Sequence, residues 1–386
     1  MDFINEYRKI KDEIIDIRRN IHKHPELGFE EFNTASLIID TLNKYNIKFT
    51  DKIAGTGIVA KIGCEGEKTL LIRADMDALP ISENTFLPYA SEYKGKMHAC
   101  GHDIHVASVL AAAIILKQHE SKINGSVIFV FQPAEETTGG AEPMISEGIL
   151  NNTKVTAAIC GHVNAEYDTG TFKVKDGPIM ASPDDFMVKF IGKSTHGAQP
   201  QNGISPILPA CEYVSVVNNT LAKDEYKNNG NILSVCTISS NGGINTIPDE
   251  ALVLGTFRSF SEESRNNVCR SLKNEAVRVA ENHKAQVEFN YNFLYPPLIN
   301  DRKMTNKFID IAQKCFGEDS VEILDKPFMT GDDFSYFSRL IPSVYFWYGG
   351  KKEEPTSLHS SKFNVNEDAI EISARIFVEF ALEYLR

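Results

Sequence analysis

No apolar run in the 386-residue sequence reaches the roughly 18–20 residues a membrane-spanning helix needs. The opening stretch MDFINEYRKIKDEIIDIRRNIHKHPELG also lacks the apolar core of a signal peptide. A cytoplasmic protein without a membrane partner is expected. Positive charge is scarce as well: 40 Lys and Arg stand against 52 Asp and Glu, a formal net charge of -12. A field of that sign repels phosphate backbones and anionic lipid, which argues against nucleic acid and for a small molecule or peptide as partner. The cysteines lack a framework. Cys64, Cys100, Cys160, Cys211, Cys236, Cys269 and Cys315 are odd in number and scattered, so they read as free thiols. There is no G-x-S-x-G elbow, internal repeat or low-complexity tract.

What is present is ordinary globular composition, with 42% hydrophobic and 24% charged residues. The length suits two domains of roughly 100–200 residues each. β-Branched runs KTLLIRA, GSVIFVFQ and VTAAICG alternate with helical patterns, which predicts an α/β fold with a mixed, mostly parallel sheet. HVASVLAAAIILKQHE is helical by its length and alanine content, with Asp103 placed to cap its start. From Ser182 the pattern becomes strand, helix, two strands, helix and strand, the ferredoxin-like βαββαβ order. YPPLIND then breaks that unit and the mixed α/β pattern resumes. The expected architecture is one α/β domain of residues 1–181 and 294–386, with an inserted domain of residues 182–293.

MHACGHDIHVA concentrates Cys100, His102 and His105 in the loop that enters the alanine-rich helix. Thiolate and imidazole suit zinc or a neighbouring transition metal, whereas calcium and magnesium prefer oxygen. Alone, a C-x-H pair is better explained by a buried thiol beside hydrogen-bonded histidines. The other polar clusters change the balance. RADMDALP puts Asp75 and Asp77 just past one predicted strand, QPAEE puts Glu135 and Glu136 past the next, and CGHVNA puts His162 past a third. Ligands of open α/β sheets bind beyond the carboxyl ends of the strands, so these clusters should meet at one edge. In extended backbone Glu135 and Glu136 would point in opposite directions, one toward metal and the other toward substrate. A metal-bound water loses its proton near neutrality, and a carboxylate can carry that proton to a leaving amine. A Cys100–His thiol protease would leave Glu135, Glu136 and His162 without a task.

RADMDALP, MHACGHDIHVA, QPAEE, GGAEPMI, GKSTHGAQP, NTIPDEALVLGTFRSF and LHSSKFNVNEDAI together resemble the peptidase M20 family. The branch is that of hippurate hydrolases, N-acyl-amino-acid deacylases and auxin-conjugate hydrolases, and the similarity runs from RRNIHKHPELGFEE to the C-terminus. The resemblance implies two divalent transition-metal ions (Zn²⁺ or Mn²⁺, with Co²⁺ or Ni²⁺ also accommodated) held by Cys100, His102, Glu136, His162 and His359, with Cys100 bridging. It makes Glu135 the general base and acid, with Asp75 and Asp77 secondary. The insert would be a lid and dimerisation domain, giving a homodimer or tetramer. Its His196 would polarise the scissile carbonyl in the neighbouring subunit, and Asn245 and Arg258 would bind the substrate's carboxyl end.

The implied activity is metal-dependent hydrolysis of the amide of an N-acyl amino acid. A dipeptidase or aminopeptidase, or an N-acetyldiaminopimelate deacetylase, is the alternative within the family. A non-enzymatic binding protein is disfavoured, because all five ligand positions and the base are present. Gln201, Asp332 and Ser360 depart from the usual family residues near the site, so the pocket is expected to differ from familiar members. His105 reads as a supporting residue, and His22, His24 and His98 carry no assigned chemistry.

Overall fold

The computed structural model describes residues 2–64, 66–151 and 154–386. By their internal contacts these residues form two compact units. The first is Met1–Ile179 with Ile299–Lys326 and Asp333–Arg386, and the second is Met180–Leu298 with Pro327–Asp332. Segment Pro327–Asp332, placed by sequence with the larger α/β domain, thus groups with the inserted unit. Its strands of contact explain why, since Ala181 N donates to the carbonyls of both Phe328 and Thr330.

In the first unit an eight-stranded sheet runs in the order Lys48–Ile53, Gly57–Gly63, Ser126–Gln132, Thr69–Asp75, Ala157–Asn164, Ser343–Gly349, Phe172–Val174, Val321–Ile323. The four central strands, from Ser126–Gln132 to Ser343–Gly349, are mutually parallel. Ser126–Gln132 and Thr69–Asp75 are buried at every position. That accounts for their unbroken apolar runs, since a parallel strand covered on both faces has no polar side to show. The parallel set brings the carboxyl ends Gln132, Asp75 and Asn164 to one edge, and the polar clusters of the sequence follow or end these strands.

Helix His102–Gln118 lies in the core of this unit, buried from His102 to Leu116. A helix apolar all round must be covered on more than one side. Its neighbours include helices Lys11–Lys23 and Asp368–Tyr384. Its start differs from expectation. The residue before the first turn is Gly101, in the left-handed region at φ 86°, and no side chain caps it. A Cβ at position 101 would also collide with the Val163 side chain, so glycine is required there. Asp103 sits inside the first turn. Its Oδ2 lies 2.8 Å from Arg18 Nε and 2.7 Å from His22 Nδ1, so two buried cations outcompete the local cap.

The second unit has a four-stranded antiparallel sheet ordered Ile232–Ser240, Glu250–Ser259, Ser182–Ile191, Gln286–Asn292. With strands numbered along the chain this is the 2-3-1-4 order of a ferredoxin-like βαββαβ unit, as the sequence predicts. Strand Ser182–Ile191 alternates buried and part-exposed residues, and helix Glu262–Asn282 turns Val268, Leu272, Ala276 and Val279 inward. Ser261 Oγ accepts from Ser264 N at 3.1 Å to start that helix. Beneath it, Asp184 holds Arg265 through two bonds of 2.7 and 2.6 Å, with both side chains buried.

Candidate metal centre

Asp77 lies two residues beyond strand Thr69–Asp75 and organises the loops around it. Its Oδ1 and Oδ2 accept the backbone N–H groups of Glu135 (3.0 Å) and Glu136 (2.9 Å). Its carbonyl oxygen faces His102 Nδ1 at 2.8 Å. A carbonyl can only accept, so His102 Nδ1 carries a hydrogen and Nε2 is the nitrogen left for a ligand. His162 is set in the same way, with Nδ1 2.8 Å from the Val163 carbonyl, leaving Nε2 3.3 Å from Cys100 Sγ.

His105 is arranged differently. Its Nε2 accepts from Val163 N at 3.0 Å, and its Nδ1 is 2.6 Å from Asp75 Oδ1. Both ring nitrogens are used, so His105 supports the loop of His162. The other Asp75 oxygen is 2.5 Å from Arg73 Nη1, and Arg73 Nη2 reaches Asp333 at 2.8 Å. Burial would raise Asp75, but His102, Arg73 and His105 hold its carboxyl well below the ordinary carboxylate range.

Three groups of donor atoms, each within 4.8 Å of one another, overlap here: Cys100, His102 and His162; Cys100, Glu136 and His359; and His102, Glu135 and Glu136. Cys100 is common to the first two. His359 comes from the far end of the chain, held by its N–H on the Ala99 carbonyl at 2.9 Å in a left-handed conformation at φ 61°. Its Nε2 is 3.1 Å from Glu136 Oε1. Every predicted ligand is therefore brought together, with Glu135 beside them. The expected opposition of Glu135 and Glu136 is not seen. Ala134 is left-handed at φ 57°, so the chain leaves the strand in a turn and both carboxylates come within 4.8 Å of the His102 ligand atom.

The donor set fits a cation. His102 Nε2 is buried without a hydrogen-bond partner, 3.8 Å from Asp75 Oδ2 and 3.9 Å from Glu136 Oε1. Carboxylates grouped around an unpaired nitrogen are unfavourable unless positive charge lies among them. Without a cation that charge must be a proton. Burial opposes it, yet Asp75, Asp77 and Glu136 raise His102 to about 10. Burial, Glu136 and Glu135 together push the Cys100 thiol well above its usual value. His162 stays neutral, because burial and the neighbouring His105 ring depress it. A metal ion would replace the protons of Cys100 and His102.

Among residues without assigned chemistry, His98 is buried with neither nitrogen hydrogen-bonded, and burial lowers it to about 3. His24 Nδ1 is 2.8 Å from the Asn20 carbonyl at a helix end. In the second unit, His196 ends a two-residue strand that pairs antiparallel with Thr246–Ile247, the strand that follows Asn245. Gly197 N donates to the Asn245 carbonyl at 2.6 Å, and exposed His196 accepts from Ala198 N through Nδ1 at 3.1 Å. Arg258 lies on another strand and donates to Thr256 Oγ1 and to the Phe257 carbonyl at 3.2 Å.

The profile of peptidase family M20/M25/M40 matches residues 71–383. Thermostable carboxypeptidase 1 of Saccharolobus solfataricus is 36% identical over 98% of this chain and 97% of its own length. N-acetylcysteine deacetylase of Bacillus subtilis is 35% identical over 96% of each chain. Among solved structures, the Bacillus subtilis YxeP protein, described as a dinuclear metal-binding M20 peptidase, aligns with a TM-score of 0.85 and 32% identity, covering 98% of this chain and 99% of its own. The chain belongs to the peptidase M20 family and is a hydrolase of that family.

Proposed function

We propose that the protein hydrolyses the amide bond of N-acyl amino acids, releasing a carboxylic acid and a free amino acid. Cys100, His102, Glu136, His162 and His359 would hold two divalent transition-metal ions, zinc or manganese (cobalt or nickel also fitting the donors), which when bound polarise the scissile carbonyl and acidify water. Glu135 takes the proton of the attacking water. As the C–N bond breaks, it delivers that proton to the leaving nitrogen. Asp77 orients both glutamates and His102, while Asp75 and His105 steady the loop of His162. His196 polarises the carbonyl from a neighbouring copy, and Asn245 and Arg258 take the substrate carboxylate, in a cytoplasmic homodimer or tetramer joined through the inserted domain.

The observation that carries this function is the paired locking of His102 and His162. Each donates Nδ1–H to a backbone carbonyl, which points both Nε2 atoms at the one cluster holding Cys100 and Glu136. A relative named as a deacetylase of an N-acetylated amino acid supports this substrate class. The carboxypeptidase relative favours a second substrate form, a peptide cleaved at its last bond. Both forms present an amide next to a free carboxylate. The test is metal analysis of purified protein, followed by turnover on matched N-acetyl amino acids, N-blocked peptides and free dipeptides. Faster turnover of the N-acyl compounds is expected. Protein loaded with two ions per chain yet inert on the whole panel would refute the proposed function.

A further inference from the structure

The opening motif HPELGFEE has had no role in the chemistry so far, yet it reaches the turn that carries both glutamates. Glu31 is fully buried, although it directly precedes helix Phe32–Lys44. A residue there ordinarily turns its side chain onto the first helical N–H groups. Glu31 makes no such bond. Glu26 does that work instead, accepting from Asn33 N at 3.0 Å and Thr34 N at 2.9 Å. Glu31 is directed elsewhere in the chain. Its Oε1 accepts from Ala134 N at 2.9 Å and its Oε2 from Thr56 Oγ1 at 2.6 Å.

Three successive N–H groups, those of Ala134, Glu135 and Glu136, are thus bound by two buried carboxylates, Glu31 and Asp77. Ala134 has no exposed surface and stands at φ 57°, where a side chain is disfavoured and outside support is needed to hold it. Gly28 backs the same turn. A Cβ at position 28 would lie 2.9 Å from Ala134 Cα and 2.6 Å from Thr137 Oγ1.

Resting on the function proposed above, we infer that Glu31 is a positioning residue that fixes the left-handed turn at Ala134 and so aims the Glu135 carboxylate. It touches neither substrate nor cation and acts through the backbone of one residue. Its loss should act on turnover more than on substrate affinity, because the aim of a proton carrier matters chiefly in the transition state.

The test uses the full-length, metal-reconstituted protein and four variants, with two independent readouts. The first readout, hydrogen exchange of the peptide spanning residues 132–137, does not depend on activity. In Glu31→Ala that segment should exchange faster than in wild type, while kcat on an N-acetyl amino acid falls roughly tenfold or more at nearly constant KM and unchanged metal content. Glu31→Gln keeps an acceptor for Ala134 N and should restore both readouts. Adding Ala134→Gly to Glu31→Ala should recover most of kcat, because glycine enters the left-handed region without support. A purely structural role for Glu31 would show no such recovery. Should Glu31→Ala fail to fold, Gly28→Ala displaces the same turn without removing charge, and it should give the same faster local exchange and kcat loss. Wild-type exchange and turnover in Glu31→Ala or Gly28→Ala would overturn the inference, as would a kcat loss that Ala134→Gly leaves untouched. If the wild-type protein cleaves no substrate on the panel, the proposed function fails separately, and hydrogen exchange still decides the role of Glu31.

Discussion

Replacing Asp77 by asparagine exchanges one oxygen for an NH₂ group at the point where the loop of Asp77 meets the turn of Glu135 and Glu136. Wild-type Asp77 presents two acceptors to two donors, Glu135 N at 3.0 Å and Glu136 N at 2.9 Å. Asparagine offers one carbonyl oxygen, so in either flip its NH₂ group must face a backbone N–H at contact distance. A hydrogen bond to a charged group contributes about 1.5–3 kcal/mol, and leaving a buried donor unpaired costs about 1–3 kcal/mol. These overlap, so a local penalty of about 2–4 kcal/mol is expected. At about 1.4 kcal/mol per factor of ten, the upper limit is a loss of roughly a thousandfold. Partial relaxation of the turn brings the expectation to about 30- to 100-fold. The flip decides where it appears: an unpaired Glu136 N–H weakens metal affinity, and an unpaired Glu135 N–H lowers kcat. The assays are chelator competition for the metal and kcat/KM at saturating metal. If both stay within threefold of wild type in a folded variant, Asp77 does not organise the site.

Other outcomes follow from the same geometry. Glu135→Gln should keep its metal while kcat drops by about 10²–10⁴, whereas Cys100→Ala should lose metal; equal metal loss in both would refute the separation of their roles. Asp184→Asn leaves Arg265 buried without its bidentate anion, and urea unfolding should show a loss of about 3 kcal/mol with metal content unchanged, since every ligand position lies in the other unit. Burial raises Glu31 from 4.5 to about 7. Such a carboxyl holds its proton more firmly in the folded state, so its contribution is complete below about pH 4.5 and is lost as pH rises through about 7. In metal-free protein, Glu31→Gln should therefore gain about 3 kcal/mol relative to wild type between pH 4.5 and pH 8; a pH-independent difference would show that Glu31 does not titrate in that window.

Of the candidate metal-site residues, Cys100, His102, Glu136 and His162 were legible because each stands in or just past a locally recognisable element, whereas His359 came only from the family resemblance. The runs KTLLIRA and GSVIFVFQ announce buried parallel strands, and polar residues just past such strands can only gather at one edge. The supporting partners carry no local signature. Asp103 looks like a helix cap in sequence, and nothing within ten residues reveals that Arg18 and His22 claim it from helix Lys11–Lys23. Glu31 carries no local mark of its contact with Ala134 N, and Ala134 looks unremarkable until its positive φ is seen. The expected divergence of Glu135 and Glu136 failed for the same reason: alternation holds only while the backbone stays extended, and one left-handed residue ends it.

Asp75 shows how such hidden partners bear on the chemistry. Its buried carboxylate lies 3.8 Å from His102 Nε2, an anion beside a candidate ligand. Here that anion is already engaged on both sides. Arg73 takes Oδ2 and His105 takes Oδ1, and His105 passes the restraint to Val163 N, the residue after His162. Asp75 also groups with His102 and His105 as possible donors, but a cation bound there would share a carboxylate already engaged by Arg73 and His105. The carboxylate is therefore better placed to stabilise the site than to enter it. It holds the backbone beside His162 in register, while its charge, with those of Asp77 and Glu136, raises His102 against the effect of burial.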